Sequence, residues 1–96
     1  MKFAMTKEEL ERLVDALRRD EDCEEGGDGS FTVDLYEPEP VVSLELYPEK
    51  NGYSITAAAL MDYSEELDGW YMRDRIRDEE GLRAIDRRLR ERFLGA

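Results

Sequence analysis

Leu10, Leu13, Val14 and Leu17 recur at i, i+3, i+4 and i+7, the spacing that gathers apolar side chains into one stripe of an α-helix. Just ahead, Thr6-Lys7-Glu8-Glu9 places a hydroxyl N-cap three residues before a carboxylate, a capping-box pattern. Met5 and Leu10 occupy the two positions of a hydrophobic staple. The spacing predicts a first helix near residues 6–19. The stretch Asp20–Ser30 then holds three glycines and no apolar side chain but Cys23, which predicts a mobile loop.

Beyond it the period becomes two. Phe31, Val33 and Leu35 alternate with Thr32, Asp34 and Tyr36, and Val42, Leu44 and Leu46 alternate with Ser43, Glu45 and Tyr47. Glu37-Pro38-Glu39-Pro40 between them must turn, because two prolines cannot sit inside a ladder. Pro48 to Gly52, ending in Asn51-Gly52, is a hairpin connection to a third strand from about Tyr53 to Asp62. Ile55, Ala57, Ala59 and Met61 are expected on one face of that strand.

Residues 64–77 admit two readings. After Asp68-Gly69, a hairpin signal, Trp70, Met72 and Ile76 alternate with Tyr71, Arg73, Arg75 and Arg77 as in a fourth strand. Such a strand must end or bulge near Asp74, which would otherwise face inward. A helix starting at Leu67 is the competing reading. The last helix is better marked, with Asp78 as cap, Glu79 and Glu80 in the first turn, and Leu82, Ile85, Leu89 and Phe93 as its stripe. Arg87, Arg88, Arg90 and Arg92 load its C-terminal half.

The expected fold class is α+β: an antiparallel three- or four-stranded sheet with an N-terminal and a C-terminal helix on one face, in the order α-β-β-β-(β)-α. Residues 1–96 form one domain. The expected core joins the two helical stripes to Phe31, Val33, Leu35, Val42, Leu44, Leu46, Ile55, Ala57, Met61, Trp70 and Met72. The second sheet face is left open.

Charge adds the strongest functional clue. Between Asp20 and Glu49 stand eleven acidic side chains and no Lys or Arg. The net charge is −13 over residues 1–69 and +2 over residues 70–96. Carboxylates spread over folded strands make a negative field of defined shape, which attracts basic surfaces and repels nucleic acid and anionic membranes. An acidic surface also fits a salt-adapted proteome.

Candidate chemistry is sparse. The chain has no histidine, hence no usual general base and no Ser-His or Cys-His dyad. It has no Walker-type phosphate loop, no G-x-G-x-x-G and no C-x-x-C. Neither an enzyme, nor a cofactor, nor a metal site is expected. Cys23 lies among Asp20, Glu21, Asp22, Glu24 and Glu25, whose charge suppresses the thiolate, and it reads as an incidental exposed thiol. Asp20, Asp22 and Glu24 alternate as in a calcium loop, but Glu25 stands where the loop needs Gly and Phe31 where it needs Glu. Arg73, Arg75 and Arg77 are expected to pair with the protein's own acidic strands or with those of a second subunit. The single cysteine, the charged segment from Thr6 and the lack of a long apolar run point to the cytoplasm.

The expected partner-binding residues are Asp34, Tyr36, Glu37, Glu39, Glu45 and Tyr47, together with Asp20, Asp22, Glu24 and Glu25. Tyrosines supply contact energy and acids supply steering, although Tyr on an open strand face is also ordinary β-propensity. In size, acidity, absence of catalytic groups and the acidic stretch Asp20 to Glu49, the chain resembles the small acidic inhibitors of phages and mobile elements, the anti-CRISPR and DNA-mimic proteins. It also resembles immunity proteins that neutralise nuclease toxins. The resemblance is of class and carries no functional residue over. It implies a basic, nucleic-acid-handling protein or complex as partner, a host-cell cytoplasmic location if phage-encoded, and no direct contact with nucleic acid. The alternative is a homodimer in which one acidic segment meets Arg73, Arg75 and Arg77 of the other copy.

Overall fold

The computed structural model describes residues 1–95, in the order β1 (Lys2–Ala4), α1 (Lys7–Arg19), β2 (Cys23–Glu25), β3 (Phe31–Leu35), β4 (Val42–Glu49), β5 (Gly52–Ser64), β6 (Gly69–Arg75) and α2 (Glu79–Leu89). A π-helical turn, Arg90–Leu94, continues α2. The capping box closes α1 as expected: the Glu9 N–H donates to Thr6 Oγ1 and the Thr6 N–H donates to Glu9 Oε1, each at 3.1 Å. Asp78 caps α2 by accepting from the Gly81 N–H at 2.9 Å.

The strands form one antiparallel sheet in the order β1-β5-β4-β3-β2, with β6 also on β5. The α+β class therefore holds, with six strands instead of three or four. The two extra strands, β1 and β2, are three residues each, too short to show alternation. β5 is thirteen residues long and shares its outer edge between two partners. Its first residues pair with β1 (Phe3 opposite Tyr53) and its last with β6 (Tyr63 opposite Trp70). Residues 64–77 take the strand reading, and Leu67 lies in the turn.

The expected mobile loop at Asp20–Ser30 is largely a hairpin. β2 pairs with β3, the Gly26 N–H donates to Ser30 O at 2.8 Å and the Asp34 N–H to Asp22 O at 3.0 Å. Backbone hydrogen bonding to β3 orders a segment that has few apolar anchors of its own.

Two bulges set which side chains face inward. The register passes from Glu45 opposite Ala57 to Leu46 opposite Ile55, leaving Thr56 as the extra residue of β5. Ile55 therefore points into the core, whereas Ala57, Ala59 and Met61 point to the open face, which corrects the expectation that all four share a side. The second bulge leaves Arg73 unmatched between Met72 and Asp74, close to where the inward carboxylate required one.

Both helices pack on one face of the sheet through Leu13, Leu17, Leu82, Ile85 and Leu89. The rest of the core differs from expectation at eight positions. Ala57 and Met61 are turned away by the bulge, and Trp70 and Met72 lie exposed on a two-stranded ribbon that outruns β4. Their places are taken by Phe3, Met5, Tyr53 and Ala58. Tyr53 is fully buried against Phe3, and its hydroxyl donates to Asp86. Asp86 also accepts from Arg90 Nε at 3.1 Å, and Arg90 Nη2 reaches Ala4 O at 2.7 Å. Two further arginines tie the start of the chain to its last turn: Arg12 donates to Leu94 O at 3.1 Å, and Arg92 pairs with Asp20 at 3.1 Å. Among the described residues no helix is long and apolar enough to cross a membrane.

Candidate partner-binding face

The helices leave the opposite sheet face bare, and strand register fixes what it presents. One row across the sheet runs Asp34, Ser43, Ala59, Arg75, and a neighbouring row runs Thr32, Glu45, Ala57. Asp22 adjoins Asp34, and Glu24 stands opposite Thr32. The β2–β4 side is thus acidic, with Asp22, Glu24, Asp34 and Glu45, while Arg75 closes the far end about three strand spacings, roughly 14 Å, away. Small side chains between them floor an open groove of about 580 Å³, walled by Glu45 on one side and by Met61, Met72, Arg75 and Arg77 on the other. Thr56 Oγ1 donates to Glu45 Oε1 at 2.9 Å and holds that carboxylate over the floor.

At one end of this face stand three aromatic rings. Tyr36–Trp70 and Tyr63–Trp70 both meet edge to face with centroids 5.5 Å apart. Tyr36, Tyr63 and Trp70 are nevertheless 38%, 46% and 46% exposed. The Tyr63 hydroxyl donates to Asp68 at 2.7 Å, which raises the Tyr63 pKa. Desolvation, then the charges of Asp34 and Asp22, raise that of Tyr36.

The ten expected partner-binding residues divide between two sides of the molecule. Asp22, Glu24, Asp34, Tyr36, Glu45 and Tyr47 belong to the open face. Glu37 and Glu39 are exposed in the β3–β4 loop, which Arg88 holds by donating to Pro38 O and, at 2.7 Å, to Pro40 O. Asp20 and Glu25 lie on the helix side, engaged by Arg92 and, through two contacts of 3.1 Å, by Arg18. This division also disposes of the calcium geometry. Asp20 lies on the helix side with Arg92, whereas Asp22 and Glu24 belong to the open face, and among the described residues no three acidic or thiol groups converge on a metal position.

Arg73, Arg75 and Arg77 do not pair with the acidic strands; among the described residues they form no ion pair. The cations that do pair belong to α1, α2 and the π-helical turn. Sequence reasoning missed the Tyr63–Trp70 cluster by placing Trp70 inside with Met72 on the strength of their alternation, whereas both lie exposed. The Asp68-Gly69 turn was the available signal, since a hairpin there sets Tyr63 beside Trp70.

Cys23 is half-buried against the core, not freely exposed as expected. Burial, then the Asp20 carboxylate, pushes its thiol pKa up to about 12, with Arg92 opposing. Iodoacetamide at neutral pH should label the native thiol on the order of a hundredfold more slowly than the unfolded one, because only the thiolate reacts. Equal rates measured by mass spectrometry would contradict this environment. This contribution to stability is complete below the unfolded thiol pKa and is lost as pH rises from there towards 12.

Comparison with protein-family models, curated proteins and solved structures finds no match to the chain.

Proposed function

We propose a non-enzymatic binding protein that docks the acidic half of its open sheet face onto a basic, nucleic-acid-handling surface of a partner protein, in the manner of a DNA mimic or anti-CRISPR inhibitor. The observation that carries this reading is the alignment of Asp22, Glu24, Asp34 and Glu45 on one solvent-facing side, next to exposed aromatic rings. Surfaces that bind nucleic acid must be positive, and fixed carboxylates can occupy them. The aromatic rings supply the contact area that charge alone lacks. The groups with strongly displaced pKa values, Tyr53 and Cys23, pack into the core and suit structure better than catalysis. An immunity protein against a nuclease toxin would use the same face in the same way.

The test is a pull-down from nucleic-acid-handling proteins, followed by charge reversal. Asp34→Lys with Glu45→Lys should weaken binding by about a hundredfold, mainly in the association rate, and wild-type affinity should fall steeply with salt. Glu8→Lys with Glu11→Lys, on the exposed face of α1, should change it by no more than about threefold. Equal losses from both pairs would reduce the effect to net charge, and salt-insensitive binding would reject the reading.

A second reading is a homodimer, favoured by one specific observation: Arg73, Arg75 and Arg77 lie on and beside the free edge of β6 and form no ion pair among the described residues. Light scattering at low and high salt separates the two. A dimer that dissociates with salt supports this reading, and a monomer throughout removes it.

A further inference from the structure

We propose that Tyr36, Tyr63 and Trp70 form a receptor for an arginine side chain of a protein partner. The inference rests on the reading of the open face as a docking surface and names the chemistry at its anchor point.

Three observations carry it. First, the rings are built into place yet left uncovered. Register sets Tyr63 directly opposite Trp70, and Tyr36, leaving β3 beyond the end of its pairing with β4, also meets Trp70 edge to face. Edge-to-face packing leaves ring surface available, and that surface is the negative part of the aromatic quadrupole. Second, carboxylates surround the rings: Asp34 two residues from Tyr36, Asp22 beside Asp34, and Asp68 on the Tyr63 hydroxyl. Third, among the described residues no cation serves them. Among the described residues Asp22, Asp34 and Asp68 make no ion pair, and the cation–π contact present, Arg92 over Phe93, lies elsewhere.

Rings and acids together fit a flat cation better than either does alone. A guanidinium can stack on an aromatic face while donating in its plane to a carboxylate, whereas an ammonium is a compact, strongly hydrated charge. The geometry therefore selects arginine over lysine at equal charge. Apolar contact with the partner would add area around this anchor.

Trp70 is the single tryptophan of the chain, so its emission reads the site directly. The probe is a capped hexa-arginine peptide, with hexa-lysine of equal length as comparison, titrated at low salt. Hexa-arginine should shift or quench the emission saturably and bind about tenfold more tightly than hexa-lysine. Tyr36→Ala with Tyr63→Ala, followed by calorimetry, should weaken hexa-arginine about tenfold, and Tyr36→Phe with Tyr63→Phe, which keeps the rings, should restore most of it. Asp34→Asn should cost more than Glu24→Gln, although each removes one charge. Binding without a Trp70 response, equal affinity for both peptides, or indifference to the ring deletions would overturn the receptor. In those cases the acidic-face reading still stands or falls separately, on the Asp34→Lys and Glu45→Lys reversals against the captured partner. An emission change that depends on protein concentration alone, without peptide, would instead assign the rings to self-association and also overturn it.

Discussion

Tyr53→Ala should lower the unfolding free energy by about 4 kcal/mol, as aromatic-to-alanine changes do at fully packed sites. Tyr53 has no exposed surface, lies 5.5 Å from the Phe3 ring between centroids and is the largest fully buried side chain. Its removal opens a cavity where β1, β5 and α2 meet. Tyr53→Phe separates the ring from the hydroxyl: Asp86 keeps Arg90, so the cost should be about 1 kcal/mol. Urea denaturation with unchanged m-values measures both, and equal losses would show that the hydroxyl, not the ring, dominates. Burial, then the hydrogen bond to Asp86, raises the Tyr53 pKa. This contribution is therefore complete below the unfolded phenol pKa of about 10 and is lost as pH climbs above it. Tyr53→Phe should flatten that alkaline decline.

Gly52→Ala should be nearly as damaging, at about 3 kcal/mol, despite adding a single methyl group. The new Cβ would lie 2.0 Å from the carbonyl oxygen of Phe3, at φ +158°. The obstacle is backbone, so no rotamer change relieves it. β1 must separate from β5, taking Phe3 and Met5 out of the core and loosening the pairing of residues 2–4 with 52–54. Gly27→Ala is the control, since nothing lies within 4 Å of its added carbon, and it should be neutral within about 0.5 kcal/mol. Hydrogen exchange should place the Gly52→Ala damage in β1 and the adjoining end of β5. Undiminished protection there would mean that the strand pair accommodates the methyl group.

Both helices were legible because their signals are local: the Thr6–Glu9 box and the apolar stripes need no knowledge of the rest of the chain. The strands containing Phe31, Val42 and Ile55 were legible for the same reason. The facing of β5 was not. Alternation shows which residues share a side only while no residue is skipped, and Thr56 is skipped. Tyr53, left out of the expected core, is fully buried, whereas Trp70, placed in it, is exposed. What separates them is position: one lies beneath Asp86 of α2, the other on a ribbon past the end of β4. The acidity of the candidate face could be read from composition. The ring cluster could not, because Tyr36 and Trp70 meet only through tertiary placement.

The arginine ties between the chain's beginning and its final turn bear on how the protein is made. Arg90 to Ala4, Arg12 to Leu94 and Arg92 to Asp20 span 86, 82 and 72 positions of sequence. During synthesis β1 and α1 emerge before their partners: β1 has no strand to join until β5 emerges, and α1 lacks its neighbouring helical turn until the residues after α2 are out. Partial products expose the apolar side of the sheet without its second cover. Folding is thus set by late, long-range closure, which slows it relative to a chain of local contacts and leaves nascent intermediates dependent on their high negative charge to stay apart.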